Sequence, residues 1–284
     1  MSDPRFRTWF SYGLAVLLAG TLASWGLSRS NRAQEASRAS AAVATQRPVA
    51  DKATVPVAVA PAPNIAPSVC PADMVLVEGS YCTDVAHRCK HWLDDEKLPF
   101  ARCGEYEAPA RCVGAQKPLR YCVDRYEYTR PNESLPANYA SFVEASRVCT
   151  ELGKRVCTED EWVFACEGEE MRPYPYGFSR APVCNQDRSD LYEMKQQKQV
   201  LRDHRHAAGS HPECKSPFGV YDLAGNLDEP VLRESQRHAY PFRNALKGGW
   251  WMAARNRCRP ATTAHDDHYK DIQIGVRCCR EAAL

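Results

Sequence analysis

The chain has 284 residues, long enough for one large domain with appended segments or for two small domains. A formal net charge of +2 gives no bulk electrostatic reason to bind nucleic acid, and an apolar fraction of 44% is that of an ordinary globular core. All fourteen cysteines lie between Cys70 and Cys279 without one C-x-x-C pair, which disfavours zinc and favours disulfides formed in an oxidising compartment.

Near the N-terminus an apolar run, Trp9 to Leu27, follows Arg5 and Arg7. At ~1.5 Å per residue such a run matches a hydrocarbon core of ~30 Å. Residues 1–27 are therefore predicted to be an uncleaved signal anchor, with a cleaved signal peptide as the alternative. Arg29, Arg32 and Arg38 oppose export under the positive-inside rule, but long domains translocate largely regardless of charge. Residues 28–68 are rich in Ala, Pro, Val and Gln and have no aromatic residue, so they are predicted to be an extended linker. Residues 69–284 are predicted to be the folded domain. The location that follows is the cell membrane, single-pass, with the domain outside the cytoplasm; after cleavage it would be secreted or periplasmic.

In the domain, "DMVLVEGSYC" is predicted as a strand ending at Gly79, and "RYCVDRYEYT" as a second strand rich in aromatic and β-branched residues. "NYASFVEASRVCTELGKR" reads as a helix with Phe142, Val143, Ser146, Cys149 and Leu152 on its inner face and Gly153 at its C-terminal end. "TEDEWVFAC" opens a second helix with a Thr158–Glu161 capping box and turns Trp162, Ala165 and Cys166 inward. In "DIQIGVRCC" a strand places Ile272, Ile274, Val276 and Cys278 on one face and Cys279 on the other, so these neighbouring cysteines pair elsewhere. Modest helix and long loops predict an irregular α+β domain rather than an alternating α/β one.

Two stretches carry candidate chemistry. "FGVYDLAGNLDEP" offers Asp222 and Glu229 around a tight turn at Gly225 and Asn226, a local oxygen-rich set of the kind calcium takes. "LKGGWWMAARNRCRP" holds Cys258, either a reactive thiol or half of a disulfide. Trp250 beside Gly-Gly is a candidate wall of a ligand cleft, or core support.

These stretches, together with "MVLVEG", "CVDRYEYT", "GKRVCTEDEWVFACEG" and "YPYG", resemble in order the motifs of the sulfatase-modifying-factor, or formylglycine-generating-enzyme, family from about Met74 to Arg280. The resemblance implies a single irregular, loop-rich α+β domain related to C-type lectins, here disulfide-rich. It implies a calcium site with Asp222 and Glu229 as carboxylates and Gly225 and Leu227 as carbonyl donors, and a second site at Asn185 and Gln186. It also implies a Cys166–Cys278 disulfide. The family's oxidase centre is a copper(I)-binding cysteine pair. Cys258 falls on its second position and Ala253 on its first, while Trp250 replaces the serine of the family's Gly-Gly-Ser. Asp228 and Pro230 replace tryptophans near the substrate cleft.

Copper and iron are therefore not expected as cofactors; calcium is. Iron-dependent relatives take their ligands from a separate helical domain, and His204, His206 and His211, or His265 and His268 with Asp266 and Asp267, are the local substitutes to test. The expected function is an extracytoplasmic, non-oxidase, calcium-stabilised binding or assembly module for a protein or envelope ligand, anchored in the inner membrane. The alternative is a metal-dependent oxidoreductase of the same family type.

Overall fold

The computed structural model describes residues 68–98, 100–233 and 240–284. The predicted anchor at 1–27, and the predicted linker apart from Ser68, lie outside the described residues. Among the described residues no helix is long and apolar enough to cross a membrane.

In chain order the strands are β1 (Met74–Cys82), β2 (Val85–Ala86), β3 (Cys89–Trp92), β4 (Cys103–Tyr106), β5 (Arg111–Cys112) and β6 (Gln116–Asp124). Helix α1 (Phe142–Glu151), β7 (Arg155–Val156) and helix α2 (Glu159–Glu167) follow. The C-terminal part holds β8 (Tyr192–Lys195), β9 (Lys198–Leu201), β10 (Glu229–Leu232), β11 (Asn244–Lys247), β12 (Ala261–Thr262) and β13 (Cys278–Glu281). A four-stranded antiparallel sheet runs β1-β6-β13-β7, and a three-stranded sheet runs β10-β11-β12. Long loops join them, as expected for an irregular α+β domain.

Strand β1 continues past Gly79 to Cys82, because β6 pairs with it along its whole length, from Met74↔Asp124 to Cys82↔Gln116. The second predicted strand, Arg120 to Thr129, forms instead four residues earlier as β6, Gln116–Asp124. It stops at Asp124, where the chain turns to pack Glu127 inward rather than remain in the ladder. Of the predicted last strand, only Cys278 onward is in the sheet; Ile274 and Val276 are buried from a loop.

Both helices open with a capping box. Ser141 and Thr158 each accept from the amide three residues on, and Glu144 and Glu161 return the bond to the cap amides. Each such cap is worth about 1 kcal/mol. Helix α2 is buried from Glu161 to Glu167, and its Trp162, Phe164 and Cys166 join Val77, Tyr121, Leu223 and Val231 in the main core. Helix α1 is rotated from the predicted face. It buries Phe142, Ala145 and Cys149 and leaves Val143 and Leu152 exposed. Cys149, on the inner face as predicted, bonds to Cys278 on β13.

Seven disulfides use all fourteen cysteines: 70–122, 82–112, 89–103, 149–278, 157–279, 166–258 and 184–214. The expected Cys166–Cys278 bond is not formed. Cys278 turns from the β13 edge toward α1, while Cys166, at the end of α2, lies against the loop of Cys258 with the two Cα atoms 5.4 Å apart. Cys278 and Cys279 do diverge to different partners, as alternation along a strand requires.

Non-reducing peptide mapping is expected to recover Cys166 with Cys258 and Cys149 with Cys278. The Cys149→Ala/Cys278→Ala variant is expected to lose about 2–5 kcal/mol in denaturant unfolding, since this bond closes one of the longest loops.

Candidate functional site

The loop from Asp222 to Glu229 is held in place from three sides. Asn226 donates to the Glu127 carboxylate and accepts from Asn185 Nδ2 and the His206 amide, both at 2.9 Å. The Leu227 amide donates to Glu127 Oε1 at 3.2 Å. Gly225 has a φ of +83°, and a Cβ there would lie 2.2 Å from the Asn185 carbonyl oxygen, so a side chain is excluded on both counts. Asp222 is buried with a φ of +61° and accepts from the Gly209 amide at 2.6 Å.

Glu229 begins β10 and is fully enclosed. Arg277 Nε lies 3.0 and 2.8 Å from its two oxygens, Arg277 Nη2 lies 2.8 Å from Oε1, and Trp162 Nε1 lies 2.5 Å from Oε2. Three N–H groups, Arg277 Nε, Arg277 Nη2 and Trp162 Nε1, thus converge on the two oxygens. The guanidinium supplies the positive charge that the family resemblance assigns to calcium. Glu229 therefore does not fit the role of a calcium donor, and among the described residues no group of three or more His, Cys, Asp or Glu is placed to hold a metal ion. Burial, and then the neighbouring Asp222 and Glu229 charges, hold the Glu127 carboxyl well above the usual carboxylate range. Burial also raises Asp222.

At the position of the family's copper pair, Cys258 is fully buried and bonded to Cys166. Ala253 offers no sulfur. With no cysteine free, the site has no thiolate for copper(I), and this group does not fit the residues present. The neighbouring cleft residues are also committed. Asp228 is buried and forks Arg255 through bonds of 2.8 and 2.9 Å. Trp250 packs edge-on against the buried Trp251, with ring centroids 5.3 Å apart.

The histidine alternatives are occupied as well. His265 stacks on Tyr269 at 3.7 Å, and His268 Nε2 meets the Tyr240 hydroxyl at 2.6 Å. Asp267 is buried beneath Arg243 and Asn244. His206 and His211 share an N···N hydrogen bond of 2.8 Å, and His204 bonds the Asp190 carbonyl at 2.9 Å. In the second implied calcium site, Asn185 Nδ2 donates to the His204 carbonyl and to Asn226 Oδ1, while Asn185 Oδ1 and Gln186 Oε1 are buried without a hydrogen-bond partner. Glu127, Trp162 and Arg277 were not singled out from the sequence. Each stands in a stretch that carries the family resemblance, and an arginine ending "IGVR" opposite a motif glutamate was the available signal.

Residues 100–282 match the family described as the sulfatase-modifying factor enzyme 1-like domain. The chain is 30% identical over 166 residues to "Inactive C-alpha-formylglycine-generating enzyme 2" from Bos taurus, covering 54% of this chain and 52% of the relative. The Mus musculus protein of that name matches at 30% identity with 54% and 51% coverage. The chain thus spans about half the length of the curated relatives it matches. The crystal structure of CarF aligns with a TM-score of 0.51 at 15% identity, covering 75% of this chain and 99% of CarF, a likeness of fold alone.

Replacing Arg277 by Met is expected to destabilise the protein by about 3–5 kcal/mol, because Glu229 is left as an uncompensated buried charge. Adding Glu229→Gln should recover part of that loss, and chemical denaturation of the two variants checks both outcomes.

Proposed function

Because the chain belongs to the sulfatase-modifying factor enzyme 1-like family yet has no free thiol at the oxidase position, we propose that it is a non-oxidase member working as a binding or assembly module outside the cytoplasm. The observation that carries this reading is the buried Cys166–Cys258 bond beside Ala253. Copper(I) between two thiolates is what activates oxygen in the family, and here one sulfur is missing and the other is consumed. The word inactive in the names of the bovine and mouse relatives agrees with the same reading.

The rest of the cleft supports it. A cleft that processes a peptide cysteine needs an open floor, and here Asp228 and Arg255 close on each other in a bidentate pair. Scaffold elements with no direct part in oxidation are retained: the capped helix α2, the enclosed Asp222–Glu229 loop and the Arg277 anchor. Seven disulfides favour an oxidising compartment as the working location.

The purified protein, given copper(I), oxygen and a cysteine-containing peptide, is expected to form no aldehyde, and unfolding without reductant should expose no titratable thiol. Ala253→Cys alone should remain inactive, because Cys258 stays bonded to Cys166. Copper-dependent aldehyde formation by the unmodified protein would overturn the proposal.

A further inference from the structure

Between helix α1 and the loop that follows β6 lies a cavity of about 280 Å³. Its floor is apolar and rigid. Ala137, Ala140 and Val276 are all buried there. Backbone bonds fix them: the Tyr128 amide donates to the Val276 carbonyl at 2.8 Å, the Ala137 amide to the Tyr128 carbonyl at 2.7 Å, and the Ala140 amide to the Ile274 carbonyl at 3.1 Å. Tyr128 and Val148 pack against the same cluster and line the walls. Tyr139 stands at the mouth, 51% exposed, with a φ of +54° that a large aromatic residue rarely takes. Its amide donates to the Asp271 carbonyl at 3.2 Å, which holds that backbone in place. Sparsely populated backbone states of this kind cluster at ligand sites.

The charged side chains that line the cavity are not equally free. Glu144 is spent: one oxygen accepts the Ser141 amide at 2.9 Å and the other accepts from Lys270 Nζ at 2.8 Å. Arg147 and Glu151 form an i,i+4 pair at 2.6 Å with 63% and 60% of their side chains exposed, so water competes for it. Arg130 is held only at long range, 3.3 Å from Glu133 Oε2 and 3.5 Å from the Asn138 carbonyl. Glu133 does not line the cavity. Two guanidiniums are therefore free to turn into the mouth, against one carboxylate, Glu151. An apolar chamber with mobile guanidiniums at its rim matches an apolar group that ends in an anion. A guanidinium forks a carboxylate through paired N–H bonds. A carboxylate anchored by a buried apolar group displaces an exposed ion pair that is worth little on its own.

We propose that this cavity binds a small organic carboxylic acid as its anion, with one ring or branched alkyl group on the Val276 floor and the carboxylate between Arg130 and Arg147. Ligand pockets usually span ~300–1,000 Å³, so this cavity admits an apolar part of about one ring. The lining contains neither Cys258 nor Ala253, so the site is not the oxidase position. The proposal rests on the binding-module reading and gives it a ligand class. A cationic ligand is disfavoured, because Glu144 already serves Lys270 and only Glu151 would remain to receive it.

The test uses the full, disulfide-intact chain titrated with 3-phenylpropanoate, followed by ligand-observed NMR. Wild-type protein is expected to bind it saturably, and to bind the uncharged 3-phenylpropanamide about tenfold more weakly or less. Arg130→Gln and Arg147→Gln should each weaken binding about fivefold or more. Glu151→Gln should tighten it about twofold, because the carboxylate that competes for Arg147 is gone. A merely structural role of these residues would produce no such gain. Val148→Phe, which fills the cavity from the helix side, should abolish binding, and the remote Glu96→Gln should leave it unchanged. No saturation below about 10 mM, equal binding of the amide, or wild-type affinity in both arginine variants would overturn the site. Weaker binding by Glu151→Gln would overturn the assignment of the rim charges. None of these results bears on the absence of oxidase activity, whereas aldehyde formation would remove the module reading itself.

Discussion

One guanidinium ties the domain together. Arg277 sits just before β13 with its side chain sealed from solvent, and it reaches Glu229 at the start of β10, the Asp124 carbonyl at the end of β6 and the Tyr221 carbonyl in the preceding loop. The two sheets are thereby joined through a single buried cation. Burying that charge is costly, and it is tolerable only because a carboxylate and two carbonyls receive its N–H groups. Trp162 completes the arrangement from α2 by donating to the same carboxylate, so the main helix of the core is registered against the same point.

The disulfides act around this centre rather than in place of it. Cys149–Cys278 and Cys157–Cys279 bind the residues directly after Arg277 to α1 and to the stretch before α2. Cys70–Cys122 fixes the entry of the chain beside the end of β6. Cys82–Cys112 and Cys89–Cys103 hold the loop-rich segment between β1 and β6, whose paired strands are only two to four residues long. Strands so short bury too little to persist unaided. The bonds thus order the parts of the fold where packing is thinnest, and the ion pair orders the part where it is densest.

Much of this fold was legible in the sequence, because its signals are local. The Thr158–Glu161 box, the turn at Gly225 and the alternation that separates Cys278 from Cys279 depend on residues a few positions apart. The disulfide partner of Cys166 was not legible in the same way. It depends on which distant elements meet, Cys278 of β13 against Cys149 of α1 and the Cys258 loop against Cys166. The Arg277 partner of Glu229 was not legible for a related reason. Motif spacing locates a carboxylate but does not say which group faces it, and Arg277 stands far along the chain. The N-terminal anchor and linker readings concern residues outside those described.

The same physical logic applies at the position of the family's copper pair. An oxidase cleft must keep a reactive thiolate partly exposed, a strained and costly arrangement that only catalysis repays. Once Ala253 stands at the first cysteine position, the second sulfur gains nothing by staying free, and in an oxidising compartment a nearby thiol captures it. Cys166 is placed to do so, and the product is a buried cross-link between α2 and the Cys258 loop. Asp228 and Arg255 close the adjoining floor by the same route, each satisfying the other where a substrate would otherwise have been needed. A site that consumes its own polar groups becomes a stabilising element of the fold.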